Sequence, residues 1–318
     1  MNYGRKADPA VSPLPLLMKP GASPLLDSAV ISRLLALPLN ARQAMTGSVS
    51  GRHRSPVRGS SVEFAQYRKY VPGDDTRRLD WRTWGRTDRF YIKEFEADTN
   101  LRMGLVVDAS GSMAYGPAGA TRLDYARKLA GTLGYLAARQ GDAVGLWGVG
   151  RDHRSKLPAK RGAGHLRLII EQLTALEAKG QTTLLESLHE AADQIPQRAL
   201  IVVVSDFFIA PAGLKQALQH LRFRRHEVAL FHALDPVELD FKFDRPARFV
   251  DMEGGETILA DPALVARRYQ EVVRKYLFEM DEVIRTTGVD YQRVMLQEPF
   301  EEVLARFLLA RLQSKGRR

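Results

Sequence analysis

From Asn100 onward, short apolar runs alternate with amphipathic stretches of helical period, and this alternation restricts the possible folds more than any other feature of the chain. Leu101 to Val107 and Ala199 to Ser205 are almost wholly apolar. Runs of that length suit strands buried on both faces, as in the middle of a parallel sheet. Thr121 to Gln140 carries Leu123, Ala126, Leu129, Leu133 and Leu136 at three- and four-residue steps, which predicts a helix with one apolar face. Further helices are predicted over 165–175, 184–194, 212–222, 262–286 and 301–312. Further strands are predicted over 143–148, 227–234, 249–252 and 291–295, with a short edge partner at 156–159. Strands separated by helices predict an α/β, Rossmann-like open sheet, mostly parallel, with helices on both faces.

The 100–313 region is preceded by two segments of different character. Residues 1–58 read as a basic, proline-rich extension, with one short helix from Ser28 to Leu39 where Val30, Ile31, Leu34 and Leu35 share a face. Residues 59–99 form a block with two strands, Val62 to Tyr70 and Phe90 to Phe95. Between those strands Asp74, Asp75, Arg77, Arg78 and Asp80 crowd beside Trp81 and Trp84. Paired carboxylates can do acid–base work. Here the arginines would hold the aspartates ionised, so an Arg–Asp network fixing a turn is the simpler reading. Residues 314–318 close the chain as a basic tail.

Composition narrows the chemistry. No apolar run approaches the roughly 18 residues of a membrane span, and no secretory signal is legible, so a cytoplasmic location is expected. The absence of cysteine removes disulfides, thiolate metal sites and cysteine nucleophiles. The formal net charge is +10, and Arg42, Arg52, Arg54 and Arg58 lie in a Gly/Ser-rich stretch without acids. Arg311, Lys315, Arg317 and Arg318 gather at the other end. Solvated basic ends explain this pattern. A nucleic-acid or other anion binder is the alternative, though no aromatic RNA-binding motif, zinc finger or helix-turn-helix accompanies the charge.

Three segments point to one site. In an open α/β sheet, ligands sit outside the carboxyl ends of the strands where the strand order reverses. The first buried strand ends in Asp108-Ala-Ser110-Gly-Ser112, a carboxylate and two hydroxyls on one turn. Gly180-Gln-Thr182-Thr183 precedes a helix, and Ser205-Asp206 ends the second buried strand. Oxygen ligands without imidazole or thiolate describe a site for a hard cation, Mg²⁺ or Mn²⁺. With only two carboxylates the ion is barely neutralised, so it would attract one more carboxylate oxygen from a partner. The bland alternative is a capped turn with its serines on backbone amides.

Asp-x-Ser-x-Ser, a later Gly-x-Thr and an Asp closing an apolar strand together resemble the metal-ion-dependent adhesion site of von Willebrand factor type A domains. The resemblance implies that Ser110, Ser112 and Thr182 ligate the ion and that Asp108 and Asp206 act directly or through water. Thr183 is the rival of Thr182, which is preferred because it stands two after Gly180, as in that family. The upstream block is similar to the signature of the bacterial domain of unknown function 58 family, which precedes a type A domain. The residues that carry this are Glu63, Arg68, Gly73, Asp74, Asp75, Arg77, Asp80, Trp81 and Arg86. That family is typically associated with MoxR-type AAA+ ATPases. The resemblance therefore implies a non-enzymatic adaptor or co-chaperone, working with such an ATPase on a client protein that offers a carboxylate. A metal-dependent hydrolase is a further alternative, and it would need a general base near the ion. The phosphate-loop pattern, His-Glu-x-x-His and Gly-x-Ser-x-Gly are all absent. The seven scattered histidines are expected to be surface or satisfied residues.

Overall fold

The computed structural model describes residues 23–37, 39, 62–71, 79–97, 101–150, 155–196, 198–241, 243, 245–255 and 257–315. They belong to two compact units, one of residues 43–100 and one of residues 1–42 with 101–318. The larger unit begins with helix α1 (Ser28–Leu34), whose N-cap Asp27 accepts from the amides of Ala29 and Val30. In the smaller unit, β1 (Val62–Lys69) pairs antiparallel with β2 (Tyr91–Ala97), setting Glu63 opposite Glu96 and Arg68 opposite Ile92. Between them lies a helix the periodicity did not show, α2 (Trp81–Thr87). Asp80 caps it, accepting from the amides of Arg82 at 3.0 Å and Thr83 at 3.4 Å and from the Thr83 hydroxyl at 2.9 Å. Trp84 stacks on Phe90 and meets Trp81 edge-on, and Arg86 lies in the last turn. Gly73, Asp74, Asp75 and Arg77 lie outside the described residues.

The larger unit is built on six strands: β3 (Arg102–Asp108), β4 (Ala143–Val149), β5 (Ser155–Lys160), β6 (Leu200–Ser205), β7 (Glu227–Leu234) and, later in the chain, β10 (Asp290–Met295). Their spatial order is β10-β7-β6-β3-β4-β5, parallel throughout except for β5, which runs antiparallel on the edge. Pro158 is tolerated there because an edge strand has one side free of ladder bonds. Side chains alternate between two cores. Leu105, Val107, Leu200, Val202 and Val204 face one, and Val106, Ile201 and Val203 face the other. Helices α3 (Arg122–Arg139), α4 (Ala163–Ala175) and α9 (Phe300–Lys315) cover the first face. The second is covered by α5 (Leu184–Gln194), α6 (Pro211–Phe223) and α8 (Pro262–Thr287). The expected α/β, Rossmann-like class is thus present, since burial on both faces is what continuous apolar strands require.

Two features depart from the expectations. The segment from Leu25 to Leu39, read as part of an extension, belongs to the core of the larger unit: Leu25, Leu26, Val30, Ile31, Leu34 and Leu39 are all buried in it. A local pattern of prolines could not reveal that this segment has a groove to fill. Arg311, assigned to the basic end, is almost fully buried and paired with Asp290 and Glu227, each at 2.6 Å. Its pairing ties α9 to β7 and β10. Two short elements were also missed, α7 (Pro236–Asp240) and β9 (Thr257–Ala260). The weak strand expected over 249–252 is β8 (Ala247–Val250), which forms an antiparallel hairpin with β9.

Candidate metal centre

The chain leaves β3 toward one side of the sheet, through β4 and β5, and returns to the other side through β6 and β7. The reversal falls between β3 and β6, so their carboxyl ends open a crevice by topology alone. Asp108 ends β3 and is fully buried. Its Oδ1 accepts from the Ser110 amide at 3.0 Å, which bends the chain into a 3₁₀ turn over Gly111–Ala114. Its Oδ2 accepts from the Ser205 hydroxyl at 2.7 Å and the Thr182 hydroxyl at 3.3 Å. The Ser110 and Ser112 hydroxyls lie 3.1 Å apart. The structure therefore brings Asp108, Ser110, Ser112 and Thr182 together.

Thr183 takes a different place. It is the N-cap of α5 but makes no side-chain cap, and its hydroxyl is buried without a hydrogen-bond partner among the described residues. Gly180 makes the approach of this segment possible: its left-handed φ of 70° suits glycine, and its carbonyl accepts from the Gly111 amide at 2.8 Å.

Asp206 stands at the end of β6, next to Phe207, whose φ of 51° is strained for a bulky residue. The strain is held by burial of the Phe207 ring and by bonds from its amide to the Ser205 hydroxyl and from the Tyr276 hydroxyl to its carbonyl. Asp206 Oδ2 accepts from Arg122 Nη1 at 3.0 Å, and its Oδ1 accepts from the Phe208 amide at 3.3 Å. Arg122 also donates to the Ser112 carbonyl at 3.2 Å and pairs with Glu238. Its guanidinium lies over the rings of Tyr115 and Phe208. Two groups here escaped the sequence reading, Arg122 and, as shown below, Glu253, while Ser205 was read as a strand end and not as a donor to Asp108. Nothing in the local pattern around Arg122 separates it from a solvated helix-start arginine.

The electrostatics favour a cation. Burial, and then the negative charge of Asp206, push the Asp108 carboxyl up to about 6, against the donors from Ser205 and Ser110. A divalent ion would relieve both effects. Octahedral coordination at 2.0–2.1 Å sets neighbouring ligand oxygens about 3 Å apart, close to the 3.1 and 3.3 Å separations found for Ser110–Ser112 and Thr182–Asp108. Donor chemistry and spacing thus both fit Mg²⁺ or Mn²⁺. Asp206, held by Arg122, fits a role through its charge or through water.

A loop between β8 and β9 is seated on this turn. A Cβ on Gly111 would fall 2.0 Å from the Met252 carbonyl oxygen, so backbone meets backbone here. The Thr182 amide donates to Glu253 Oε2 at 3.4 Å. A cavity of about 510 Å³ opens beside the turn, lined by Ser112, Thr182, Phe208, Asp251 and Glu253 among others. Gly111→Ala is expected to destabilise the protein by about 1–3 kcal/mol, because neither backbone is free to yield. Urea denaturation of the two proteins checks this, and an unchanged midpoint would show that the loop does not rest on the turn.

The open, mostly parallel sheet with helices on both faces defines a domain of the α/β, Rossmann-like class, with an oxygen-lined turn at its switch point. The chain belongs to the family described as "Protein of unknown function DUF58", which it matches over residues 66–276. It is 28% identical over 244 residues to the uncharacterized proteins Mb1516 of Mycobacterium bovis and Rv1480 of Mycobacterium tuberculosis, covering 75% of this chain and 76% of each relative. Among solved structures it is similar to BatB of Bacteroides thetaiotaomicron, with a TM-score of 0.46, 15% identity, and 67% of this chain and 100% of that one covered. It is also similar to the SpRpn10 VWA domain, with a TM-score of 0.40, 11% identity, and 66% and 95% covered. Among the described residues, no helix is long and apolar enough to cross a membrane.

Proposed function

We propose that this protein is a non-enzymatic, divalent-metal-dependent adaptor or co-chaperone that works in the cytoplasm with a MoxR-type AAA+ ATPase on a client protein. The observation that supports this is the cluster of Asp108, Ser110, Ser112 and Thr182 beside an open cavity at the switch point. These residues would hold Mg²⁺ or Mn²⁺, with Asp206 contributing its charge. The ion would supply a Lewis-acidic point for a carboxylate oxygen of the client. Ser112 and Thr182 line both the cluster and the cavity, so an incoming carboxylate meets them directly. The ATPase partner follows from the family resemblance.

The test is a pull-down of client protein in the presence of a purified MoxR-type ATPase from the same organism, with and without Mg²⁺. Capture is expected with Mg²⁺ and is expected to be lost with EDTA or in a folded Asp108→Ala protein. Capture that survives both treatments would sink the reading.

A further inference from the structure

We infer that Glu253 completes the shell of the bound ion from within the chain, so that the site ligates itself and a client carboxylate must displace Glu253. This rests on the metal-site reading above and assigns that site one more ligand. Three observations carry it.

The first is the seating of the loop. Gly111 lies between the two ligand serines, and the Met252 carbonyl occupies the space a side chain would fill there. The residue after Met252 is therefore presented at the turn by direct backbone contact. The second is the division of labour between the two loop acids. Asp251 is used inside the loop: its Oδ1 accepts from the Glu253 amide at 2.8 Å, and its Oδ2 occupies the space a Gly255 side chain would take. Glu253 instead sets its Oε2 against the Thr182 amide, although both acids line the cavity beside Ser112 and Thr182. The third is charge. Asp206 shares its Oδ2 with Arg122, which leaves Asp108 as the one carboxylate among the clustered ligands. A divalent ion among one carboxylate and three hydroxyls is under-neutralised, and affinity at such sites rises with the number of charged ligands. Glu253 supplies the missing charge without a partner.

The experiment uses the full chain and Mn²⁺ alone as the probe. Binding is followed by calorimetry, and water bound to the ion by proton relaxation. Glu253→Gln is expected to weaken Mn²⁺ binding by about tenfold or more. Glu253→Ala is expected to do the same and to add water to the bound ion. Millimolar acetate should then displace that water in Glu253→Ala and leave the relaxation of the wild type unchanged. Equal affinity and equal relaxation in all three proteins would overturn the inference, while Mn²⁺ binding that is lost in Asp108→Asn would leave the metal-site reading standing. A wild type that binds no Mn²⁺ would overturn both.

Discussion

Arg122→Met is expected to lower the free energy of unfolding by about 3–5 kcal/mol, the usual consequence of removing one partner from a buried ion pair. Arg122 is 1% exposed and satisfies Asp206, the Ser112 carbonyl and Glu238 together. Methionine fills much the same volume, so little of the loss would come from a cavity. The loss would come from two carboxylates left in a poorly solvated place without a cation. Arg122→Lys should recover only part of it, because one ammonium cannot reproduce a planar fork that reaches three acceptors. Guanidinium denaturation in EDTA measures the effect. A second signature distinguishes this from simple damage: Asp206, freed from Arg122, should make Mg²⁺ stabilise the variant more than it stabilises the wild type. A loss below about 1 kcal/mol would mean that the pair is solvated and contributes little.

Asp108→Asn is expected to act in the opposite direction when metal is absent. The Asp108 carboxyl is pushed up to about 6 from an ordinary value of 3.8, by burial first and Asp206 second. A raised folded value means that the native state binds the proton more tightly than the unfolded chain. The metal-free protein therefore loses stability as pH rises from about 4 to about 6, and above that it carries the whole cost, of order 3 kcal/mol. Asparagine removes the charge and keeps the shape. Its oxygen can still accept from the Ser110 amide, and its amide can face the Ser205 and Thr182 hydroxyls, both of which can turn to accept. The variant should thus be more stable than the wild type in EDTA at pH 8, by about 1–3 kcal/mol. It should also lose the 4-to-6 slope. Mg²⁺ at about a thousand times its Kd should reverse the ranking, since it adds about 4.1 kcal/mol to the wild type alone. A metal-free variant less stable than the wild type at pH 8 would show that Asp108 is already neutralised by its donors.

The two variants probe one electrostatic arrangement from its two sides. Asp108 carries negative charge that no cation among the described residues pairs with, and Asp206 carries charge that Arg122 does cancel. The resemblance to adhesion-type sites treats the two aspartates alike, and the geometry separates them. In the proposed site the same separation gives Glu253 its part, because a bound ion would otherwise be short of one carboxylate.

Much of this protein was legible in its sequence because much of it is decided locally. Side-chain alternation and helical period depend on neighbours a few residues apart, so Leu101 to Val107, Ala199 to Ser205 and the helix after Thr121 could be read directly. The ligand segments could be placed at one sheet edge because every parallel strand delivers its last residues to the same side. What the tertiary structure alone decided depends on partners distant in sequence. Arg122 meets Asp206 across 84 residues, Thr182 meets Asp108 across 74, and Glu253 reaches Thr182 across 71. Arg311 leaves the basic end for a buried pair with Asp290 and Glu227. Leu25 to Leu39 leaves the extension for the core. No local pattern distinguishes a solvated arginine from a buried one, or a loop glutamate from a ligand, because the difference lies in what folding sets against them. The candidate cation site was therefore visible as a set of oxygens at strand ends, while the charge balance around those oxygens became visible only in three dimensions.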